Sequence, residues 1–99
     1  MAYALVFTDD YTRRALRFLK RHPELKNQYA KTLALLEINP HHPSLRLHAL
    51  AGRLQGVHSV SINLSYRITL ELMIQDKHMK YLKIVLVKIV KNLVLGMKV

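Results

Sequence analysis

Residues 59–74 read SVSINLSYRITLELMI, and the period of this stretch decides the fold. Val60, Ile62 and Leu64 alternate with Ser59, Ser61 and Asn63. Tyr66, Ile68, Leu70, Leu72 and Ile74 then alternate with Arg67, Thr69, Glu71 and Met73. A side-chain period of two is that of a pleated strand with one face buried. Two such runs joined by a tight turn predict an antiparallel pair whose apolar face needs a cover.

The cover lies upstream. Residues 3–7, YALVF, read as a buried opening strand. Thr8 then caps a helix whose first turn carries Asp9 and Asp10, where negative charge meets the positive end of the helix dipole. Tyr11, Ala15, Phe18 and Leu19 recur at helical spacing, while Arg13, Arg17, Lys20 and Arg21 occupy another, basic face. His22-Pro23 breaks this helix and starts a second, with Leu25, Tyr29, Leu33 and Leu36 as its apolar stripe. Asn39-Pro40 ends it, and residues 39–44 are a loop.

Beyond the loop the period turns strand-like at Leu45 and Leu47, with Arg46 between them, and residues 52–56 form a turn. On the far side of the decisive stretch, residues 75–78 are a turn and residues 79–90 a further strand. The class is therefore α+β. An N-terminal strand and an αα-hairpin pack on a twisted antiparallel sheet of about four strands, in one domain spanning residues 1–99.

Sixteen Lys and Arg against six Asp and Glu give a net charge of +10, which predicts a polyanionic partner, nucleic acid first. An acidic protein partner or a solvated basic surface also fits that charge. A membrane span does not, because the apolar run at residues 81–95 is interrupted by Lys83, Lys88 and Lys91. The opening MAYALVFTDD has no basic leader before a long apolar run, and cysteine is absent, so the cytoplasm is the expected compartment.

Few kinds of chemistry survive this composition. The six histidines show no metal-ligand spacing, and the three glycines form no phosphate loop. No local motif marks a Ser-His-Asp triad. Basic side chains are the better candidates. Alternation turns Arg67 away from the apolar face, where its guanidinium either holds a phosphate or pairs with Glu71. Arg46 and Arg53 bracket the preceding turn and, with Arg13 and Arg17 on the first helix, are candidate phosphate contacts. His58 has the chemistry of a general acid or base, but alternation places it beside Val60 and Ile62, where a packed histidine is favoured.

The order of these elements, together with Leu50, Gly52, Gly56, Ser59-Val60 and Tyr66-Arg67-Ile68, resembles the RelE/ParE toxin superfamily over residues 3–76. The resemblance implies two helices on a twisted antiparallel sheet and a cognate acidic antitoxin. In the RelE branch it implies cleavage of messenger RNA on the ribosome, with the RNA 2′-hydroxyl attacking the adjacent phosphate and no metal or other cofactor required. Arg67 matches the arginine that this branch places at the scissile phosphate, and His58 falls where some members carry a basic catalytic residue. The ParE branch shares the fold and inhibits DNA gyrase by binding. A third possibility is a catalytically degenerate protein that still binds an antitoxin.

The last quarter departs from the family. All seven arginines lie at or before Arg67, whereas residues 77–99 hold six lysines, no arginine and no carboxylate. Two readings account for this atypical strand and tail. One is a single-base slip near Ile84, after which an adjacent frame encodes a family-like turn. The other is a divergent tail whose residues 81–90 form the last strand. Under the slip the chain keeps its scaffold and Arg67 but lacks C-terminal catalytic groups, and an exposed apolar tail favours a homo-oligomer.

Overall fold

The computed structural model describes residues 3–50, 56–74 and 82–91. The opening strand, β1 (Ala4–Phe7), passes through Thr8 into α1 (Asp9–Arg21). The Thr8 hydroxyl accepts the Tyr11 amide at 3.0 Å, so the helix begins where the capping residue stands. His22 ends α1, a 3-10 turn at Pro23–Leu25 redirects the chain, and α2 (Lys26–Ile38) runs to Asn39. Tyr11 and Tyr29 join the two helices through a buried hydroxyl–hydroxyl hydrogen bond of 2.7 Å. Burial holds both phenols above the usual tyrosine range; for Tyr11 the Tyr29 hydroxyl adds to it, whereas for Tyr29 the bond to Tyr11 opposes it.

The remaining strands are β2 (His48–Ala49), β3 (His58–Ser61), β4 (Tyr66–Ile74) and β5 (Leu82–Lys91), arranged β1-β5-β4-β3-β2 in one sheet. The α+β class is as expected. The sheet is mixed rather than purely antiparallel, because β1 joins its edge parallel to β5, with Ala4 opposite Lys83 and Phe7 opposite Leu86. Among the described residues that makes five strands instead of four.

Two local expectations are corrected. Strand geometry does not begin at Leu45. Residues Pro43–Leu45 form a 3-10 turn, and Arg46 takes a left-handed conformation at φ 50°, ψ 50°, so pairing starts only at His48. The hairpin turn spans residues 62–65, two residues earlier than the alternation extends. There the Asn63 side chain accepts the Ser65 and Tyr66 amides at 2.8 and 2.9 Å, a local bond that competes with the ladder. Gly56 has φ +93°, a conformation open to glycine at little cost. The predicted turn at residues 75–78 and the Gly52 end of the earlier one lie outside the described residues.

The core forms where the helical hairpin meets one face of the sheet. Tyr11, Leu36, Val60, Ile68, Leu70 and Ile84 are fully buried in it, and Leu86 is nearly so. Burying each such aliphatic side chain contributes roughly 1.5–3 kcal/mol. Keeping β5 on this face takes a bulge. Between Thr69 and Leu70 the β4–β5 register shifts, so that Ile68 opposes Ile89 while Leu70 opposes Leu86. Strict alternation would carry Lys88 into the core after Ile84 and Leu86. The extra residue sends Ile89 inward instead and leaves Lys88 exposed on the other face. No described helix is long and apolar enough to cross a membrane.

Candidate functional site

The outer face of the sheet, away from the helices, carries the polar side chains that alternation predicted. Register defines two adjacent rows across it. One row runs His48, Ser59, Thr69, Lys88 across β2, β3, β4 and β5; the next runs Ser61, Arg67, Val90. At a strand spacing of about 4.8 Å, the backbones of His48 and Lys88 lie roughly 14 Å apart. An extended polyanion laid along the first row would therefore meet basic groups at both ends.

Arg67 organises the row beside it. Its Nε donates to Ser59 Oγ at 2.8 Å, and its Nη2 donates to the Arg46 carbonyl at 2.7 Å and, more distantly, to the Ser59 carbonyl at 3.3 Å. The residue is only 5% exposed, and burial, followed by the nearby Arg46 charge, pulls its pKa below the ordinary arginine value. The guanidinium nonetheless remains charged. Glu71, the alternative partner, is exposed, and among the described residues no ion pair reaches Arg67. The carbonyls and the hydroxyl around Arg67 replace the counterion.

The Arg46 carbonyl that Arg67 holds belongs to the one described non-glycine residue with positive φ. A left-handed conformation costs about 1–2 kcal/mol at such a residue, so the surrounding bonds must over-determine it. The conformation serves to bring His48 alongside. His48 Nδ1 lies 3.2 Å from the Arg46 carbonyl and 3.3 Å from Arg67 Nη2. Only one of these contacts can be a hydrogen bond for a given tautomer. Arg67 Nη2 can spend its two protons on the two carbonyls, which leaves the Arg46 carbonyl to accept from a protonated Nδ1. In the neutral ring Nε2 is then an unprotonated base on an exposed residue.

The other expected site residues fall elsewhere. His58 opposes Ala49 and Leu70 and so shares the inner, helix-covered side; the structure does not bring it to Arg67. Its Nδ1 is buried without a hydrogen-bond partner among the described residues. Arg13 and Arg17 are exposed on α1, whose Tyr11 and Ala15 pack against the inner face, so the sheet stands between them and Arg67. Arg13 is also tied to Asp10 at 3.2 Å. Arg46 does neighbour Arg67, as its carbonyl bond requires. Arg53 lies outside the described residues. Sequence reading passed over His48, Ser59 and Lys88, which become neighbours only through strand pairing.

No family model and no curated protein sequence matches the chain. Solved structures do. A YoeB/ParE toxin from Agrobacterium tumefaciens superposes with a TM-score of 0.66 at 14% identity, covering 87% of this chain and 94% of the other. The E. coli DinJ-YafQ toxin–antitoxin complex matches with a TM-score of 0.64 at 14% identity, covering 96% of this chain and 98% of the matched one. The RelBE2 toxin–antitoxin complex from Mycobacterium tuberculosis matches with a TM-score of 0.56 at 15% identity, covering 92% and 99%. The fold of this chain is that of the RelE/ParE toxins.

Proposed function

We propose that this protein is the toxin of a type II toxin–antitoxin pair and that it cleaves messenger RNA on the ribosome, in the cytoplasm. The observation that carries the reading is the anchoring of His48 through Nδ1 beside the buried Arg67 cation, on the open face of a strongly basic chain. His48 Nε2 takes the proton of a ribose 2′-hydroxyl, and that oxygen attacks the adjacent phosphorus. The bond to the 5′ oxygen breaks, and the leaving oxygen takes a proton from solvent. The products are a 2′,3′-cyclic phosphate and a 5′-hydroxyl end. No electrons change hands and no cofactor is needed. Arg46 and Lys88 supply phosphate contacts, while Arg67 holds the Arg46–His48 segment and adds positive potential from beneath. Its role is positioning, in place of the direct phosphate contact that its sequence motif implied.

A basic toxin needs a partner that masks it, and two of the structures with this fold, DinJ-YafQ and RelBE2, are toxin–antitoxin complexes. An acidic antitoxin encoded nearby is the partner proposed for this chain. A second reading, an antitoxin-binding protein without nuclease activity, draws on one observation: Arg67 already spends its Nε and Nη2 donors on protein acceptors.

The test is induced expression with cleavage mapping in translating extracts, a gyrase supercoiling assay and recovery of bound partners. Ribosome-dependent cuts ending in cyclic phosphate support the nuclease. His48→Gln should slow them on the order of 10²–10⁴-fold, the range for losing a general base, with the unfolding midpoint unchanged. Gyrase inhibition without cuts would select a ParE-type mechanism. An acidic partner without either activity would select the binding protein.

A further inference from the structure

A second polar feature lies next to this site and is unused by the proposed reaction. A cleft of about 190 Å³ opens between α2, the Pro43–Leu45 turn and the edge of β3. Its polar walls are Gln28, Lys31 and Thr32 from α2, Ser44 from the turn and Ser61 from β3, with buried Leu45 among its apolar contacts. Two of its walls continue into the candidate site. Ser61 sits opposite Arg67, and Ser44-Leu45 leads directly to Arg46 and His48. A ligand here would lie beside the strand of RNA held on the outer face.

Two of the hydroxyl protons of the cleft are already assigned. Thr32 Oγ1 donates to the Gln28 carbonyl at 2.8 Å, and Ser61 Oγ donates to the Asn63 carbonyl at 2.8 Å. Ser44 Oγ lies 2.8 Å from His42 Nδ1, a contact in which the hydroxyl donates or accepts according to the imidazole tautomer. The Thr32 and Ser61 hydroxyls, having given up their protons, retain only lone pairs for a ligand. The Lys31 ammonium supplies donors and no acceptor, and the Gln28 amide, whose Oε1 accepts from Asn63 Nδ2 at 3.5 Å, adds its own N–H donors beside it. The cleft thus pairs a cationic donor with a group of acceptors in a space smaller than the 300–1,000 Å³ typical of drug-sized ligands.

From this complementarity we infer that the cleft is a base-recognition subsite that takes a single unpaired guanine of the bound RNA. Guanine offers O6 and N7 as acceptors to a lysine, and N1–H and the exocyclic amine as donors to hydroxyl oxygens. Adenine, cytosine and uracil do not present this division in full. Reading an unstacked base by its edges is the usual way in which single-stranded RNA is recognised by sequence. The assignment rests on the RNA reading above, but its test is independent of cleavage.

The test is amide NMR of the full chain titrated separately with the four ribonucleoside 5′-monophosphates and with inorganic phosphate. Guanosine monophosphate should shift residues 28, 31, 32, 44 and 61 at a concentration on the order of tenfold below the other nucleotides, the discrimination given by one good pair of base-edge bonds. Lys31→Gln, a change at an exposed helix position, should abolish that selectivity while the remaining spectrum is preserved. Equal shifts with all four nucleotides, the same shifts with phosphate alone, or no shifts overturn the inference. Selective guanine binding in a chain that never cuts RNA would sustain the cleft and sink the nuclease. Cleavage by a chain whose cleft fails the titration would do the reverse.

Discussion

On the inner face of β4, Ile68 and Leu70 are fully buried; on its outer face, Arg67 and Thr69 are almost as deeply buried, at 5% and 6% exposure. The surroundings differ in kind. The inner residues meet aliphatic and aromatic side chains, where attraction scales with area and has little direction. The outer residues meet named acceptors: Ser59 Oγ and the Arg46 carbonyl for Arg67, and the Lys88 carbonyl at 3.2 Å for Thr69. Equal burial therefore does two jobs. Inside it supplies stability, and outside it fixes the position of one imidazole.

Substitutions can separate these jobs. Leu86→Ala on the inner face should produce the largest effect, a loss of about 2–5 kcal/mol in urea unfolding, because it opens a cavity in the core. A loss under 1 kcal/mol would mean that β5 is not packed there. Arg67→Ala on the outer face should cost about 1.5–3 kcal/mol, the range for hydrogen bonds to a charged group, and should also impair RNA cleavage. Arg67→Lys should restore little of either, since an ammonium lacks the fork that spans Ser59 and Arg46. Full rescue by lysine would show that charge alone matters.

Tyr11→Phe should cost about 1 kcal/mol by removing the hydroxyl–hydroxyl bond to Tyr29, and cleavage by the folded protein should be unaffected. The same pair predicts a pH trend. Unfolded tyrosines ionise near pH 10, whereas burial keeps Tyr11 and Tyr29 protonated above it, so the folded state binds more protons there. Stability should accordingly fall as pH rises past 10, and less steeply in Tyr11→Phe; identical alkaline profiles would contradict this. The smallest effect separates the two sides by charge. Lys88→Gln should lower the salt-dependence slope of RNA binding by about one, while Arg17→Gln, on the helix side, should leave it unchanged. Equal changes would place RNA on both sides of the sheet.

How much of this was legible in the sequence follows the same division. The inner face was, because Tyr66, Ile68, Leu70 and Leu72 announce it by period, and Thr8, Pro23 and Asn39-Pro40 punctuate the helices. The bulge in β5 was not, because its run LKIVLVKIVK is apolar at most positions and a period has little contrast to work with. The one available signal was Lys88, two residues past Leu86 and out of place in a core. The outer site was the least legible. Sequence spacing does not connect His48 with Ser59, Thr69 and Lys88, and the left-handed Arg46 depends on a bond from Arg67, 21 positions later. The tyrosine–arginine–isoleucine motif identified the correct side chain, but its burial is set by the segment folded over it.

The pairing of β1 with β5 has a consequence for synthesis. Ala4 is made long before its partner Lys83, which lies in the last described strand. A nascent chain that has not yet extruded β5 has Ile68 and Leu70 in β4 but lacks Ile84 and Leu86 beside them, and its opening strand has no described strand to pair with. Cooperative folding must wait for β5 to clear the exit tunnel, since the long-range contact cannot repay its closure entropy earlier. Translation thus delivers the finished sheet late. Ribosome-bound chains arrested before residue 82 should be digested rapidly by a protease that spares the full chain, and equal resistance of the two would show that folding begins sooner.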